Sequence, residues 1–255
     1  MCGIGFYYFD KDMPLNMKFL NHLLVSISQR GVDAFGISFV GQIGNGTFKF
    51  PKSYLECSEE VMSKVKRIAG EKGLIIANSR AQPMTEKEST AADNGTIQPI
   101  TTDDGYILVH NGVVANTEEL QKKFDLPEYT IDSELTLHLY KKMTKTYGYG
   151  IKAWQETLKH ISGGSAYYVY EPHTNSLYII KDYKPLAAGY KEGLGYFGCS
   201  DVDSLEEWFG DMNTQMFEDY YYYDIPAYSI LQVDLDTRKI NREPIETKYI
   251  SSLPG

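Results

Sequence analysis

The order of hydrophobic patterns along the chain is the feature that most restricts its fold. Alternating apolar residues begin almost at once, over Gly3–Phe9, and predict a strand that starts directly after Cys2. Helical spacing dominates the middle of the chain, whereas short strand-like segments return after Gly164. Strands at both ends with helices mainly between them predict an α+β protein rather than a doubly wound parallel sheet.

Local patterns predict the individual elements. Helices are predicted over residues 17–27, 61–69, from 117 onwards, 133–145 and 151–161, and strands over residues 74–77, 106–109, 166–170, 176–180, 195–198, 228–233 and 239–244. Residues 81–104 are polar and rich in turn signals, and we expect a long loop that acts as a lid. The tyrosines at 220–223 are interpreted as packing residues of a strand or loop rather than as a binding site.

Composition and charge exclude several classes of protein. The 255 residues are 42% hydrophobic, which is enough for a sizeable core, and residues 1–250 are expected to form one domain followed by a short tail at 251–255. The formal charge of -9 opposes attraction to nucleic acid and to anionic membranes, so neither is an expected partner. No apolar run approaches the about 20 residues that cross a bilayer, and no signal peptide pattern is present, so we expect a cytoplasmic protein.

Cys2 is the first candidate for chemistry. The three cysteines are widely spaced and odd in number, which argues against a disulfide framework and against a zinc site. Removal of Met1 would leave a thiol and a free α-amine on the same residue. Since the unperturbed pKa of an α-amine is about 7.7 to 8.0, this amine could take the thiol proton without a histidine. The alternative interpretation is a small residue that stands near the chain start by coincidence.

Other candidates follow predicted strands or precede a predicted helix. In His110-Asn111-Gly112, the Asn111 amide and the Gly112 N–H could converge on an oxyanion, although Asn-Gly is also a common turn signal. Arg80 could hold a substrate carboxylate or be an ordinary surface arginine. Asp132 could attract a substrate ammonium or cap the following helix. Together with Cys2 these residues describe an amino acid pocket, which glutamine would fit.

Six short motifs occur in a characteristic order along the chain. They are Met1-Cys2-Gly3-Ile4, Arg30-Gly31-Val32-Asp33, Ser79-Arg80, Gln98-Pro99, His110-Asn111-Gly112-Val113-Val114-Ala115-Asn116 and Asp132-Ser133-Glu134, followed by Lys181-Asp182-Tyr183-Lys184-Pro185-Leu186 and Cys199-Ser200-Asp201. In this order they resemble the glutaminase domain of class II glutamine amidotransferases, which are N-terminal nucleophile hydrolases. The resemblance covers nearly the whole chain. It implies a four-layer αββα sandwich with two facing antiparallel sheets.

The resemblance also implies a role for each candidate residue. Cys2 would be the nucleophile with its own α-amine as base, and Asn111 and Gly112 would form the oxyanion hole. Arg80 would bind the carboxylate of glutamine, and Asp132 would bind its amino group. The implied chemistry requires no metal and no organic cofactor.

Arg30 is implied to support the surroundings of the nucleophile. The chain departs from the family at Val32, where proline is common, and at Asn78 and Ala81, where the family often has a histidine and a bulky residue. Because the neighbours of Arg80 help to shape and cover the pocket, these departures bear on substrate closure and on substrate identity.

The implied function is hydrolysis of glutamine to glutamate and ammonia through a γ-glutamyl thioester on Cys2. Related biosynthetic enzymes carry a further domain that consumes the ammonia, and 255 residues leave no room for one, so we expect a separate acceptor synthetase or transferase. Two alternatives stay open. One is an amidohydrolase that acts on other γ-glutamyl compounds or small amides, and the other is a catalytically silent binding subunit that retains Met1.

Overall fold

The computed structural model describes residues 2–81, 95–201, 203–205 and 220–246. The strands are β1 (Gly3–Phe9), β2 (Ala34–Gly41), β3 (Asn45–Phe50), β4 (Gly73–Arg80), β5 (Ile100–Thr101), β6 (Ile107–Gly112), β7 (Ser165–Glu171), β8 (Ser176–Lys181), β9 (Ala187–Lys191), β10 (Gly195–Cys199), β11 (Tyr220–Asp224), β12 (Ser229–Asp234) and β13 (Ile240–Pro244). The helices are α1 (Met17–Ser28), α2 (Tyr54–Ile68), α3 (Thr117–Phe124), α4 (Asp132–Tyr147) and α5 (Ile151–Leu158).

The described residues divide into two compact units. The first contains the described residues up to Pro99 and those from Pro185 to Ile225, and the second contains Ile100 to Lys184 and the described residues from Pro226 onwards. Each unit is therefore built from two separate stretches of chain. The expectation of one domain over residues 1–250 stays a prediction, and the tail at 251–255 lies outside the described residues.

The first unit contains a seven-stranded sheet in the order β11-β9-β10-β1-β4-β2-β3, in which every neighbouring pair is antiparallel. Helices α1 and α2 pack on this sheet through apolar side chains such as Phe19 and Tyr54, which join Phe35 and Phe197 in one core. Because all residues of β1 are buried, this strand is central in the sheet and is covered on both faces.

The second unit contains a six-stranded antiparallel sheet in the order β13-β12-β8-β7-β6-β5. Helices α3, α4 and α5 cover it, and the core between them includes Leu120, Tyr140 and Trp154. The rings of Tyr140 and Trp154 stack with centroids 4.0 Å apart, which fixes α4 against α5. A sheet layer and a helix layer in each unit confirm the predicted α+β class with two antiparallel sheets.

Most predicted elements are confirmed, and the exceptions have physical reasons. Strands β2, β3 and β9 were not predicted because glycines and polar residues interrupt their apolar pattern. In β2, Gly36 is required because a Cβ there would lie 1.9 Å from the carbonyl oxygen of Gln98. Helix α2 begins at Tyr54, earlier than predicted, after Ser53, whose backbone N–H donates to Glu56 Oε2 at 3.0 Å.

The region predicted as a long loop is only partly described. Residues 82–94 lie outside the described residues, so the lid stays a prediction. The later part of this region is not all loop, because Ile100–Thr101 forms β5 and Ile100 pairs with Leu108 of β6. The tyrosine segment forms strand β11, which pairs with β9. Among the described residues, none of the helices is both long and apolar enough to span a membrane.

Candidate active site

Cys2 directly precedes β1, the central strand of the first unit. The residue is partly exposed. In the neighbouring strand β4, Ser79 pairs with Gly3, so the antiparallel register brings the end of β4 at Arg80 alongside Cys2. A partly exposed cysteine at the end of a buried central strand can meet a substrate while its backbone stays fixed.

Hydrogen bonds to Ser200 hold the start of β1. The backbone N–H of Ile4 donates to Ser200 Oγ at 3.0 Å, and the Ser200 N–H donates to the Ile4 carbonyl at 2.9 Å. Arg30 Nη1 donates to the carbonyl oxygen of Ser200. Gly3 is packed so closely that a Cβ would lie 2.0 Å from the carbonyl oxygen of Ile27 at the end of α1. The structure thus places Arg30 in contact with the residue that braces the strand behind Cys2.

Arg80 is buried, with 7% of its surface exposed, so the alternative of an ordinary surface arginine is wrong. Its Nη1 donates to Thr96 Oγ1 at 2.7 Å, and its carbonyl oxygen accepts from the Asp33 N–H at 3.0 Å. Ser79 Oγ donates to the Gly31 carbonyl at 2.6 Å. The segment after α1 is therefore fastened to the end of β4, and the arginine is rooted in the protein interior.

The segment His110-Asn111-Gly112 lies within β6, where Asn111 pairs with Ala166 and Gly112 pairs with Ser165 of β7. The alternative of a tight Asn-Gly turn is therefore wrong. A Cβ at Gly112 would lie 2.0 Å from the carbonyl oxygen of Gly164, so only glycine fits at this position.

The Asn111 side chain is 3% exposed, and its Nδ2 has no hydrogen-bond partner within the described part of the chain. A buried amide left without a partner costs about 1 to 3 kcal/mol. Such groups are rare in folded proteins, and each requires an explanation. One explanation is that the side-chain N–H groups of Asn111 donate to a negatively charged oxygen of a bound molecule.

Asp132 is the first residue of α4, and Ile131 occupies the N-cap position. Asp132 Oδ2 accepts from the Val114 N–H at 2.7 Å, and Asp132 Oδ1 accepts from Ser133 Oγ at 3.1 Å. The carboxylate is thus bonded to the segment that follows β6, and the interpretation of Asp132 as the helix cap is wrong. The bond to Val114 ties Asp132 to the strand that carries Asn111.

His110 is a buried residue that the sequence analysis left without a role. Its Nδ1 lies 2.8 Å from Ser133 Oγ and its Nε2 lies 3.2 Å from Ser165 Oγ. The imidazole stacks on the ring of Tyr167, with centroids 4.3 Å apart. Burial lowers the pKa of His110 to about 4, against the opposing effect of the Asp132 charge. The imidazole is therefore neutral near pH 7.

A family model described as a glutamine amidotransferase domain matches residues 73–207, which is more than half of the chain. The chain belongs to this family. The predicted resemblance is thereby confirmed, and the relatives and fold place the domain in class II, among the N-terminal nucleophile hydrolases.

Several curated proteins are similar to this amidotransferase domain. The 7-cyano-7-deazaguanine synthase of Saccharolobus solfataricus is 31% identical over 188 residues, which cover 72% of this chain and 39% of the relative. The 7-cyano-7-deazaguanine synthase 2 of Sulfurisphaera tokodaii is 29% identical over 88% of this chain and 46% of the relative. A glutamine–fructose-6-phosphate aminotransferase (isomerizing) of Lactococcus lactis is 28% identical over 80% of this chain and 33% of the relative. The chain thus spans less than half the length of these relatives.

Solved structures show the same fold. The glutamine phosphoribosylpyrophosphate amidotransferase from B. subtilis matches with a TM-score of 0.68 and 16% identity, over 96% of this chain and 49% of that one. A glutamine aminotransferase class-II domain protein from Silicibacter pomeroyi matches with a TM-score of 0.53 and 10% identity, over 96% of this chain and 100% of that one. At these identities the likeness concerns the fold alone.

The other two cysteines of the amidotransferase domain are poor candidates for chemistry. Cys57 and Cys199 are both buried, and burial raises their pKa values to about 11 and about 12. Their thiols donate to the carbonyl oxygens of Ser53 and Asp201. A thiol in this environment stays protonated and inaccessible, so Cys2 is the one cysteine suited to nucleophilic attack.

The candidate residues of the amidotransferase domain fall into two groups, one in each unit. The structure brings Cys2, Arg30 and Arg80 to neighbouring element ends of the first unit. It brings Asn111, Gly112 and Asp132 to neighbouring segments of the second unit. Within the described ranges, no group of three or more His, Cys, Asp or Glu side chains could hold a metal ion.

Sequence reasoning missed the hydrogen bonds that link His110 to Ser133 and Ser165. The available signals were a histidine directly before Asn111 and a serine directly after Asp132. Neither signal was specific enough to predict contacts between residues 23 and 55 positions apart in the chain.

Proposed function

We propose that this amidotransferase domain hydrolyses glutamine to glutamate and ammonia, with Cys2 as the nucleophile. The observation that supports this most strongly is the position of Cys2. Cys2 is partly exposed and lies directly before the central strand β1, whereas the other two cysteines are buried. Family membership supplies the reaction class, and the chemistry of a terminal cysteine supplies the mechanism.

In the proposed mechanism, Met1 is removed and the free α-amine of Cys2 takes the proton of the Cys2 thiol. The thiolate sulfur attacks the side-chain amide carbon of glutamine, and the carbonyl oxygen becomes negatively charged. The Asn111 amide and the Gly112 N–H donate to this oxygen. The protonated amine then gives its proton to the leaving nitrogen, and the carbon–nitrogen bond breaks. Ammonia is released, and a γ-glutamyl thioester remains on Cys2. Water, deprotonated by the same amine, attacks the thioester carbon, the carbon–sulfur bond breaks, and glutamate is released while the Cys2 thiolate takes the proton back from the amine.

Substrate binding uses the charged ends of the amino acid. We assign the α-carboxylate of glutamine to Arg80, whose buried guanidinium can form two parallel bonds to a carboxylate. The α-ammonium is assigned to Asp132. Arg30 acts indirectly, through the carbonyl oxygen of Ser200 and the strand behind Cys2.

The ammonia is proposed to pass to a separate acceptor synthetase or transferase. The names of the relatives suggest two kinds of acceptor reaction, formation of 7-cyano-7-deazaguanine and amination of fructose 6-phosphate. Co-purification of the acceptor, followed by an assay in which glutamine replaces ammonium salts, tests this part. If ammonium supports the acceptor reaction and glutamine does not, the delivery proposal fails.

The hydrolysis itself is tested with Cys2→Ala and the matched variant Cys57→Ala. Loss of the nucleophile should reduce glutamine turnover by about 10⁴-fold or more, whereas Cys57→Ala should keep turnover per folded molecule. Far-UV circular dichroism confirms that both variants fold. Activity retained in Cys2→Ala would contradict the mechanism.

Two further measurements separate the alternatives. A panel of glutamine and γ-glutamyl peptides distinguishes a glutaminase from an amidohydrolase with another substrate. Intact mass distinguishes either enzyme from a silent binding subunit, because both enzymes require that Met1 be absent.

A further inference from the structure

We propose that His110 is a positioning residue that holds the Asp132 carboxylate through a hydrogen-bond chain of fixed direction, with the imidazole proton on Nδ1. This chain of side chains, here called the His110 chain, consists of Tyr167, Ser165, His110, Ser133 and Asp132. The inference rests on the proposed function, since it concerns how the residue assigned to the glutamine ammonium is kept in place.

The contacts of the His110 chain are continuous. Tyr167 Oη donates to Ser165 Oγ at 3.0 Å, and Ser165 Oγ lies 3.2 Å from His110 Nε2. On the other side of the ring, His110 Nδ1 lies 2.8 Å from Ser133 Oγ, which donates to Asp132 Oδ1 at 3.1 Å. All five side chains belong to the second unit.

The direction of the His110 chain follows from counting protons. A serine hydroxyl has one proton, and that of Ser133 is given to the Asp132 carboxylate. Ser133 must therefore accept from His110, which places the imidazole proton on Nδ1. The unprotonated Nε2 is then an acceptor, and it takes the hydroxyl proton of Ser165. Ser165 in turn accepts from Tyr167, so every donor in the chain points toward Asp132.

A neutral imidazole is required for this arrangement, because a protonated ring would donate at both nitrogens and could not accept from Ser165. The surroundings favour the neutral form. Burial is the largest cause of the low pKa of His110, the charge of Lys184 lowers this pKa further, and only the Asp132 carboxylate opposes both. The third neighbour, Tyr167, has a pKa raised by its own burial and stays uncharged.

The His110 chain supplies one of two bonds that fix the Asp132 carboxylate. Ser133 holds Oδ1, and the Val114 N–H holds Oδ2 at 2.7 Å. Two bonds to different oxygens set both the position and the plane of the carboxylate. An ammonium ion is recognised best by a carboxylate that needs no reorganisation on binding. Loss of the Ser133 bond should therefore weaken ground-state binding of glutamine more than it slows the chemical step.

The His110 ring also lies beside Gly112, two residues further along the same strand β6. A Cβ on Gly112 would come within 2.6 Å of His110 Nε2. The imidazole thus fills the space that the glycine leaves open. Its orientation is fixed by bonds at both nitrogens and by stacking on Tyr167, which leaves one geometry for the chain.

The kinetic test compares Ser133→Ala, Ser133→Thr and the control Ser176→Ala with the unsubstituted protein. Ser133→Ala should raise KM for glutamine about 5- to 10-fold with kcat within about 2-fold, and Ser133→Thr should restore most of the affinity because it keeps the hydroxyl. Ser176 is a buried serine of β8 whose Oγ donates to Thr174 and lies outside the His110 chain, so its replacement should leave KM unchanged. Equal KM values in Ser133→Ala and Ser176→Ala would overturn the proposal.

The tautomer is tested independently of any activity. ¹⁵N NMR of the labelled protein near pH 7 should show His110 with a protonated Nδ1 and an unprotonated Nε2, with the signal assigned by its loss in His110→Asn. A proton on Nε2, or a charged ring, would overturn the direction of the chain. If the protein hydrolyses no glutamine while the Nδ1–H tautomer is found, the proposed function has failed and the hydrogen-bond chain has not. If glutamine is hydrolysed but the tautomer differs, the present inference alone has failed.

Discussion

The two groups of candidate residues differ in how the protein holds them. Around Cys2 the contacts hold the backbone of the strand start: Ile4 exchanges hydrogen bonds with the hydroxyl and the N–H of Ser200, and Gly3 lies close to α1. Around Asn111 and Asp132 the geometry comes largely from side-chain hydrogen bonds, which include those of the buried His110 and Ser133. Cys2 is partly exposed, and in the second group Asn111 is buried whereas Gly112 and Asp132 are partly exposed.

This difference has a physical basis. A terminal nucleophile that carries its own base needs a firm backbone and free space around the sulfur, so few side chains can touch it. Groups that stabilise charge must be oriented before the reaction, which requires partners at fixed distances. Asn111 Nδ2, which has no partner among the described residues, and the Asp132 carboxylate, which accepts two hydrogen bonds, fit this requirement.

After the loss of Cys2, the largest effect on turnover is expected for Asn111→Ala, which removes an assigned oxyanion donor. If Asn111 donates to the oxyanion, kcat for glutamine should fall about 100- to 1,000-fold with a small change in KM, because the bond forms in the transition state. Steady-state kinetics and thermal unfolding should be measured together. A kcat that falls only in proportion to the folded fraction would show that Asn111 is structural and would remove the proposed difference between the groups.

A smaller effect is expected for Arg80→Lys. The lysine keeps the charge but loses the paired geometry of the guanidinium, so KM for glutamine should rise about 10- to 100-fold while kcat changes less. Thr96→Val is the matched control, since it removes the hydroxyl that Arg80 contacts at 2.7 Å and leaves the arginine present. If Thr96→Val raises KM as much as Arg80→Lys does, Arg80 has a structural role and does not bind the substrate.

The third prediction concerns stability and not rate. Because the pKa of His110 is lowered from 6.5 to about 4, the unfolded chain binds more protons between these values. The His110 contribution should therefore reduce the free energy of unfolding as the pH falls through this window, by at most about 1.4 kcal/mol per pH unit. His110→Gln should unfold with a weaker pH dependence there. Denaturant titrations at several pH values in this range give the free energy of unfolding as a function of pH. If this free energy changes with pH equally in both proteins, the assignment of a buried neutral histidine is contradicted.

Much of the fold could be predicted from sequence because the signals were local. The alternation in β1 and the helical spacing in α1 lie within one element each, and both predictions are confirmed. Strand β2 was missed because its pattern contains Gly36, whose presence depends on the distant Gln98. A residue that is required by a tertiary contact does not contribute to the hydrophobic periodicity of its strand.

The candidate site divides in the same way. Cys2, Asn111, Gly112, Arg80 and Asp132 could all be proposed from position and chemistry, each with an alternative interpretation, and the family motifs added a role for each. The alternatives at Arg80 and Asp132 were decided by burial and by hydrogen-bond partners, which no single motif contains. The His110 bonds join three separated segments, so only the folded structure could reveal them.

The most direct test of the central claim is mass spectrometry of the protein with its native N-terminus, quenched in acid during turnover of glutamine. The account predicts a mature chain that begins at Cys2 and a fraction of its N-terminal peptide heavier by one γ-glutamyl group on the thiol. A chain that turns over glutamine with Met1 still attached, or with the acyl group on another residue, would contradict it.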